Sequence, residues 1–225
     1  MPPPVAPDEI SLMIEYKSEE NENGVLITFP NIDVAISTPI NPEQNVSYLK
    51  WKTEEDFSFF EFPCGPLHQP KGCFVHLETN PDDIVIFSGE RLGQGYLQQQ
   101  LVASKRIDDL SQFLFRHYFS VYQYAMTKKA YDFWEKIKLT SAPSGNIFDL
   151  PPATVRGNIY NIEDKDELVG GYFEASSVNV IRKYLTPSDM SPITFDQIYN
   201  YCNTGICCNC LIIFNATTEA PDFWE

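Results

Sequence analysis

Six cysteines and three histidines carry the most conspicuous chemistry in this 225-residue chain, and they are unevenly placed. Cys64, His68, Cys73 and His76 share one short stretch and supply two thiolates and two imidazoles, the donor set around which zinc builds a tetrahedron. Their spacing matches no common zinc finger. The competing reading is a Cys64–Cys73 disulfide that closes a loop rich in Pro and Gly between two strands and leaves both histidines exposed; this is the expectation. A second group, Cys202, Cys207, Cys208 and Cys210, could in principle hold zinc or an iron–sulfur cluster. Adjacent cysteines in extended backbone point to opposite faces, which makes a regular tetrathiolate awkward. Disulfides mostly within this group are expected, with Cys207 and Cys208 taking different partners and Cys202 and Cys210 the nearest candidates.

Other chemistries find less support. Ser176-Ser177 lies in a strand-like pattern, not on a G-x-S-x-G elbow, and His68, His76 and His117 are the only imidazole bases available to a nucleophile. Gly93-Gln94-Gly95 lacks the further glycine of a dinucleotide loop, and no Walker loop occurs. Asp164, Asp166 and Glu167 resemble part of a calcium loop but lack its glycine at the sixth position, so they read as a turn. Asn45-Val46-Ser47 and Asn215-Ala216-Thr217 fit the N-glycosylation pattern, which carries weight only in a eukaryotic secreted protein. No catalytic residue and no cofactor is expected.

The composition sets bounds on the partners. A hydrophobic fraction of 43% is enough for a packed core, and a net charge of -15 repels phosphate backbones and anionic membranes, which argues against nucleic acid. No stretch reaches the roughly 18 apolar residues of a membrane span, and Met1-Pro2-Pro3-Pro4 does not open like a signal peptide. An even number of clustered cysteines suits a disulfide-bonded extracytoplasmic protein.

The elements that must position these residues are mostly strands. Residues 1–9 read as a Pro-rich linker tail, and residues 10–225 as a single β-rich domain with a Cys-rich C-terminal segment. Ile10–Tyr16 and Val25–Phe29 flank Asn23-Gly24, a hairpin end. Val46–Lys52 and Phe57–Phe62 predict a second hairpin about Thr53–Asp56, and Cys73–Thr79 predicts a partner in Ile84–Ser88. Phe113–Met126 reads as one long strand, with further strand-like patterns at Thr154–Tyr160 and Leu168–Leu185. From Thr127, an N-cap, Ala130, Phe133, Trp134 and Ile137 recur at helical spacing and predict one amphipathic helix to Leu139, with a short second one after Ser191-Pro192. The expected fold is mainly β: an antiparallel β-sandwich or barrel-like domain with one amphipathic helix packed on the sheet.

Five segments in order add a resemblance: Asn45–Trp51; Val121–Thr127 running into Ala130-Tyr131-Asp132-Phe133-Trp134; Gly145–Ile159; Gly170–Val178; and Pro221-Asp222-Phe223-Trp224. Together they resemble the Bacteroidota outer-membrane lipoproteins grouped as domain of unknown function 4249. The resemblance implies an outer-membrane lipoprotein, often encoded near a TonB-dependent transporter, and no established activity. The lipoprotein signal, acylated cysteine and first β-domain usual in that family do not occur in this sequence, so either the chain is a fragment or a lipid anchor does not apply. The apolar Leu211-Ile212-Ile213-Phe214 also departs from the family's glycine-rich tail. Within the resembling segments, Tyr131, Phe133 and Trp134 read as helix-to-sheet packing, Gly157 and Gly170-Gly171 as bulges or places of close strand approach, and Arg156 and Asn158 as the two candidate ligand contacts. The expected function is a non-enzymatic binding or accessory domain assisting a TonB-dependent transporter in substrate capture. A structural or adhesive surface domain is the alternative, ahead of a hydrolase or a zinc-binding domain.

Overall fold

The structure is a computed structural model, and it describes residues 1–40, 48–61, 65–78, 83–91, 95–141, 155–164, 166–167, 169–199 and 209–225. Its strands are β1 (Glu9–Glu20), β2 (Leu26–Pro39), β3 (Tyr48–Phe60), β4 (Gly72–Glu78), β5 (Val85–Ser88), β6 (Tyr96–Arg106), β7 (His117–Met126), β8 (Ser177–Leu185) and β9 (Ala216–Thr217). Two helices, α1 (Lys128–Ser141) and α2 (Phe195–Tyr199), complete the regular elements used below. A three-stranded sheet, β1-β2-β6, faces a six-stranded sheet ordered β8-β7-β3-β4-β9, with β5 also on β3; every pairing is antiparallel. The mainly-β sandwich expectation holds.

The core lies between the sheets because each strand turns its alternate apolar residues inward. Ile10, Ile32, Val34, Ile36 and Val102 from the small sheet meet Leu49, Trp51, Phe59, Val75, Phe119 and Val121 from the large one. The first hairpin forms where Asn23-Gly24 indicated. Gly24 adopts φ +74°, and the Asn21 carboxamide accepts the amides of Asn23 and Val25. Helix α1 begins as its cap predicts, with the Ala130 amide donating to Thr127 Oγ1 at 3.3 Å. Its apolar stripe packs on Tyr48 and Met126, on the outer face of the large sheet.

Several expectations are corrected. Thr53–Asp56 is not a turn: β3 runs straight through it. The polar run hides a period of two, in which Thr53 and Glu55 face the core and Glu54 and Asp56 face outward. Cys73–Thr79 does not pair with Ile84–Ser88; β4 pairs with Glu54–Phe60 and β5 with Tyr48–Trp51, end to end along one edge of the long β3. The long strand starts at His117, because Leu110–Phe113 forms a 3-10 turn capped by Asp109. Residues 155–160 form no strand, and in the Leu168–Leu185 stretch only Ser177–Leu185 does. Thr154, Pro151-Pro152, Asn45-Val46-Ser47 and Gly93-Gln94 lie outside the described residues.

The predicted Cys64–Cys73 disulfide is replaced by Cys73–Cys210, with Cα atoms 6.0 Å apart. On β4, Cys73 points into the core beside Phe59 and is fully buried, and the C-terminal turn at Cys210 docks against it. Glu61 anchors that turn by accepting the Cys210 amide at 2.9 Å. Cys210 is therefore not engaged within the C-terminal group; Cys64, Cys202, Cys207 and Cys208 lie outside the described residues.

Candidate ligand-binding face

The outer face of the six-stranded sheet carries a dense set of polar side chains. Strand alternation places Lys50, Lys52, Glu54 and Asp56 of β3 there, beside His76 of β4, Tyr118, Ser120, Tyr122 and Tyr124 of β7 and Arg182 of β8. At one end, Lys50 Nζ sits 3.9 Å over the Trp134 ring and 2.8 Å from Glu174, which also accepts the Trp134 indole N–H at 3.1 Å. At the other end the C-terminal residues lie down on the sheet: Trp224 contacts Phe74 and Tyr118 with ring centroids 5.0 and 4.7 Å apart, and Arg182 covers Phe223 at 4.3 Å. From Lys50 to Asp56 along β3 is about 20 Å at the usual rise per residue.

Between these aromatic walls the polar groups are held firmly. Lys52 Nζ is 2.6 Å from Glu54 Oε1. Burial alone would raise the Glu54 carboxyl, but bonds from Lys52 and Tyr122 outweigh it and hold the group below the usual carboxylate range. Burial, with the bond to Glu54, pushes the Tyr122 hydroxyl up, so it stays a donor. His76 Nδ1 lies 2.9 Å from Asp56 Oδ1. Ser120 Oγ is buried without a hydrogen-bond partner among the described residues.

Serine, histidine and aspartate thus share one face, but in the wrong order for acyl transfer. Asp56 on β3 stands between β7, which carries Ser120, and β4, which carries His76, so the imidazole is two strands from the hydroxyl whose proton it would have to take. A second acid–base pair is buried and enclosed. His117 Nε2 donates to Glu55 at 2.8 Å, Lys105 also bonds Glu55, and Phe57, Phe113 and Phe119 pack around the fully buried imidazole. A cleft of about 450 Å³ between β5 and α1 is lined by Glu90, Lys128, Asp132 and Glu135. Its groups satisfy one another: Lys128 lies 3.1 Å from Glu90 and 3.4 Å from Asp132, and Tyr131 donates to Glu135 at 3.0 Å.

The candidates from the sequence fall elsewhere. Cys73 is committed to its disulfide, His68 donates to Glu61 at 3.0 Å, and His76 occupies the face of β4 opposite to Cys73, so of the Cys64, His68, Cys73 and His76 set the three described residues do not converge on one ion. Glu61, Cys73 and Cys210 do bring ligand atoms within 4.8 Å of one another, but both sulfurs are spent in the disulfide. Arg156 is exposed. Asn158 is a clamp: its carboxamide donates to Phe173 O and accepts the Phe173 amide, each at 2.7 Å. Beside it the chains touch, since a Cβ on Gly157 would lie 1.6 Å from Gly171 O. The alternation Lys52, Glu54, Asp56 and Tyr118, Ser120, Tyr122, Tyr124 was the signal for the face, obscured by the turn-like composition of Thr53–Asp56.

The family model described as domain of unknown function (DUF4249) matches residues 1–182, most of the chain. This chain belongs to the DUF4249 family. In this DUF4249 domain the matched stretch takes in both walls of the sandwich through most of β8, while Cys210, Phe223 and Trp224 lie beyond it. No curated protein and no solved structure matches the chain.

Proposed function

We propose that this DUF4249 domain is a non-enzymatic binding or accessory domain of a cell-surface lipoprotein, and that it assists a TonB-dependent transporter in substrate capture. The supporting observation is the outer face of the large sheet. Carboxylates, cations and hydroxyls stand there on strands between the walls of Trp134 and Trp224, and among the described residues none of them is placed to activate a nucleophile. Both signs of charge with flat aromatic edges suit a polar, hydrogen-bonding ligand better than an apolar one. Phe223 and Trp224 pack down on Tyr118, which weakens the adhesive alternative, since that role calls for an exposed aromatic patch.

Photo-crosslinking from position 122 in cells that make the full-length protein tests the reading. Adducts with a β-barrel transporter or its cargo, lost on Arg182→Glu, are expected. Adducts confined to cytoplasmic proteins would overturn the setting, and turnover of a captured ligand that disappears in His76→Ala would overturn the non-enzymatic assignment.

A further inference from the structure

The Pro-rich opening of the chain, read from sequence as a linker, is docked at the end of the sandwich. Pro2 and Val5 are half-buried, as is Pro7, whereas Pro3, Pro4 and Ala6 are exposed. Pro2 and Val5 both present bonded carbonyls: Ser177 Oγ donates to Pro2 O, while Gln123 Nε2 and Asn179 Nδ2 both donate to Val5 O, at 2.9 and 3.0 Å. Thr38 Oγ1 reaches Ala6 O at 3.5 Å. Pro2 and Val5, alike half-buried and bonded through their carbonyls, stand three residues apart, which is the period of a polyproline II helix, a form that has no internal hydrogen bonds and offers its carbonyls outward.

The receiving side is built for such a guest. Gln123 and Thr38 are almost wholly buried. The Trp51 indole donates to Gln123 Oε1 at 2.8 Å and fixes the carboxamide with its NH2 toward the tail, and that NH2 also donates to Thr38 Oγ1 at 3.0 Å. Toward residues 2–6 the groove's bonds run from its donors, while farther along the tail the Asp8 amide donates to Ser37 O at 3.0 Å. A segment rich in prolines has few N–H groups to leave unsatisfied and many free carbonyls, so donors alone recognise it. Val5 adds an apolar anchor against the core.

We propose that Thr38, Gln123, Ser177 and Asn179 form a polyproline-recognition groove, filled in this chain by its own residues 2–6. The groove bridges both sheets, since Thr38 lies on β2 and the others on β7 and β8. The site is independent of the outer face.

The test uses the full chain and a labelled peptide with the sequence of residues 1–9. In Val5→Asp the tail's anchor is spoiled, and the peptide should bind this variant at least ten-fold more tightly than the wild-type chain, whose groove is occupied. Adding Gln123→Ala should abolish binding, and a peptide with alanine at positions 2–4 should bind at least ten-fold more weakly than the native one. Failure of the peptide to bind a natively folded Val5→Asp chain overturns the groove, and equal binding of the alanine peptide overturns its polyproline class. If Val5→Asp does not fold, single cysteines decide the matter by alkylation read site by site. Val5→Cys should be protected and Pro4→Cys and Ala6→Cys reactive; equal reactivity at all three overturns the docked register. A concentration-dependent dimer of the wild-type chain would place the segment in another copy and overturn the assignment in cis.

Discussion

His117 is enclosed by three phenylalanine rings and depends on its neighbours for any charge it carries. Burial, the largest influence, pushes its imidazole below the ordinary histidine value, although Glu55 draws it the other way. Lys105 already supplies the cation that Glu55 needs, so a neutral imidazole completes a balanced group. The linkage follows from the sign of the shift. The unfolded chain protonates His117 near pH 6.5 and the folded chain only at lower pH, so between the two the unfolded state binds more protons and stability falls with acidification. The unfolding midpoint is therefore expected to hold above about pH 7 and to decline from about pH 6.5 downward. In His117→Gln this first decline should flatten; an unchanged slope between pH 7 and 5 would show that another group carries it. Glu54, Glu55 and Glu61, all held below the usual carboxylate range by their partners, add a second decline only as pH falls below their unfolded value near 4.5.

At the scale of elements, the loop before β8 is held to the segment around Gly157 by backbone proximity rather than by a strand ladder. A Cβ at position 157 has no space beside Gly171 O, whose own residue adopts φ +111°. Gly157→Ala should force the two backbones apart and cost about 1–3 kcal/mol, the usual range for overpacking, measured by denaturant unfolding. Removing the neighbouring clamp in Asn158→Ala leaves both chains solvated and should cost about 1 kcal/mol. Helix α1 depends on its first turn in the same way: Thr127→Ala removes the bond to the Ala130 amide and should cost about 1 kcal/mol, visible as a lower thermal midpoint. A cost for Asn158→Ala larger than for Gly157→Ala would reverse this ranking and make the side-chain clamp the dominant tie.

For the whole molecule, the Cys73–Cys210 bond joins residues 137 apart in sequence and pins the C-terminal turn to the inner face of the large sheet. In the chain-entropy model so long a loop contributes more than a short one would, about 3–5 kcal/mol. Cys73→Ser, or reduction of the wild-type chain, should lower unfolding stability by that amount, and non-reducing peptide maps should recover the Cys73 and Cys210 peptides together. A Cys64–Cys73 peptide in their place would contradict the fold around Glu61. The same pin holds the C-terminal segment near the sheet on which Trp224 rests, so reduction should also expose Trp224, read as a red shift of tryptophan emission.

The sequence by itself determined what is local. Asn23-Gly24 could take the positive φ of a hairpin end, Thr127 and the stripe from Ala130 to Ile137 could only suit a helix with one apolar face, and the β-prone runs demanded an antiparallel sandwich or barrel-like fold. Gly157 and Gly171 were legible as a bulge or a close approach, and the close approach is what forms. The tertiary structure decided what depends on partners distant in sequence. Thr53–Asp56 is turn-like in composition, and only the partners waiting on both faces, His117 and Lys105 inside and Lys52 and His76 outside, keep it extended. Which cysteine meets Cys73 depends on where the C-terminal turn docks, which local spacing does not encode. The prolines of residues 2–7 specify an extended segment in either context; whether it trails in solvent or lies in a groove depends on carboxamides more than 100 residues away, at Gln123 and Asn179.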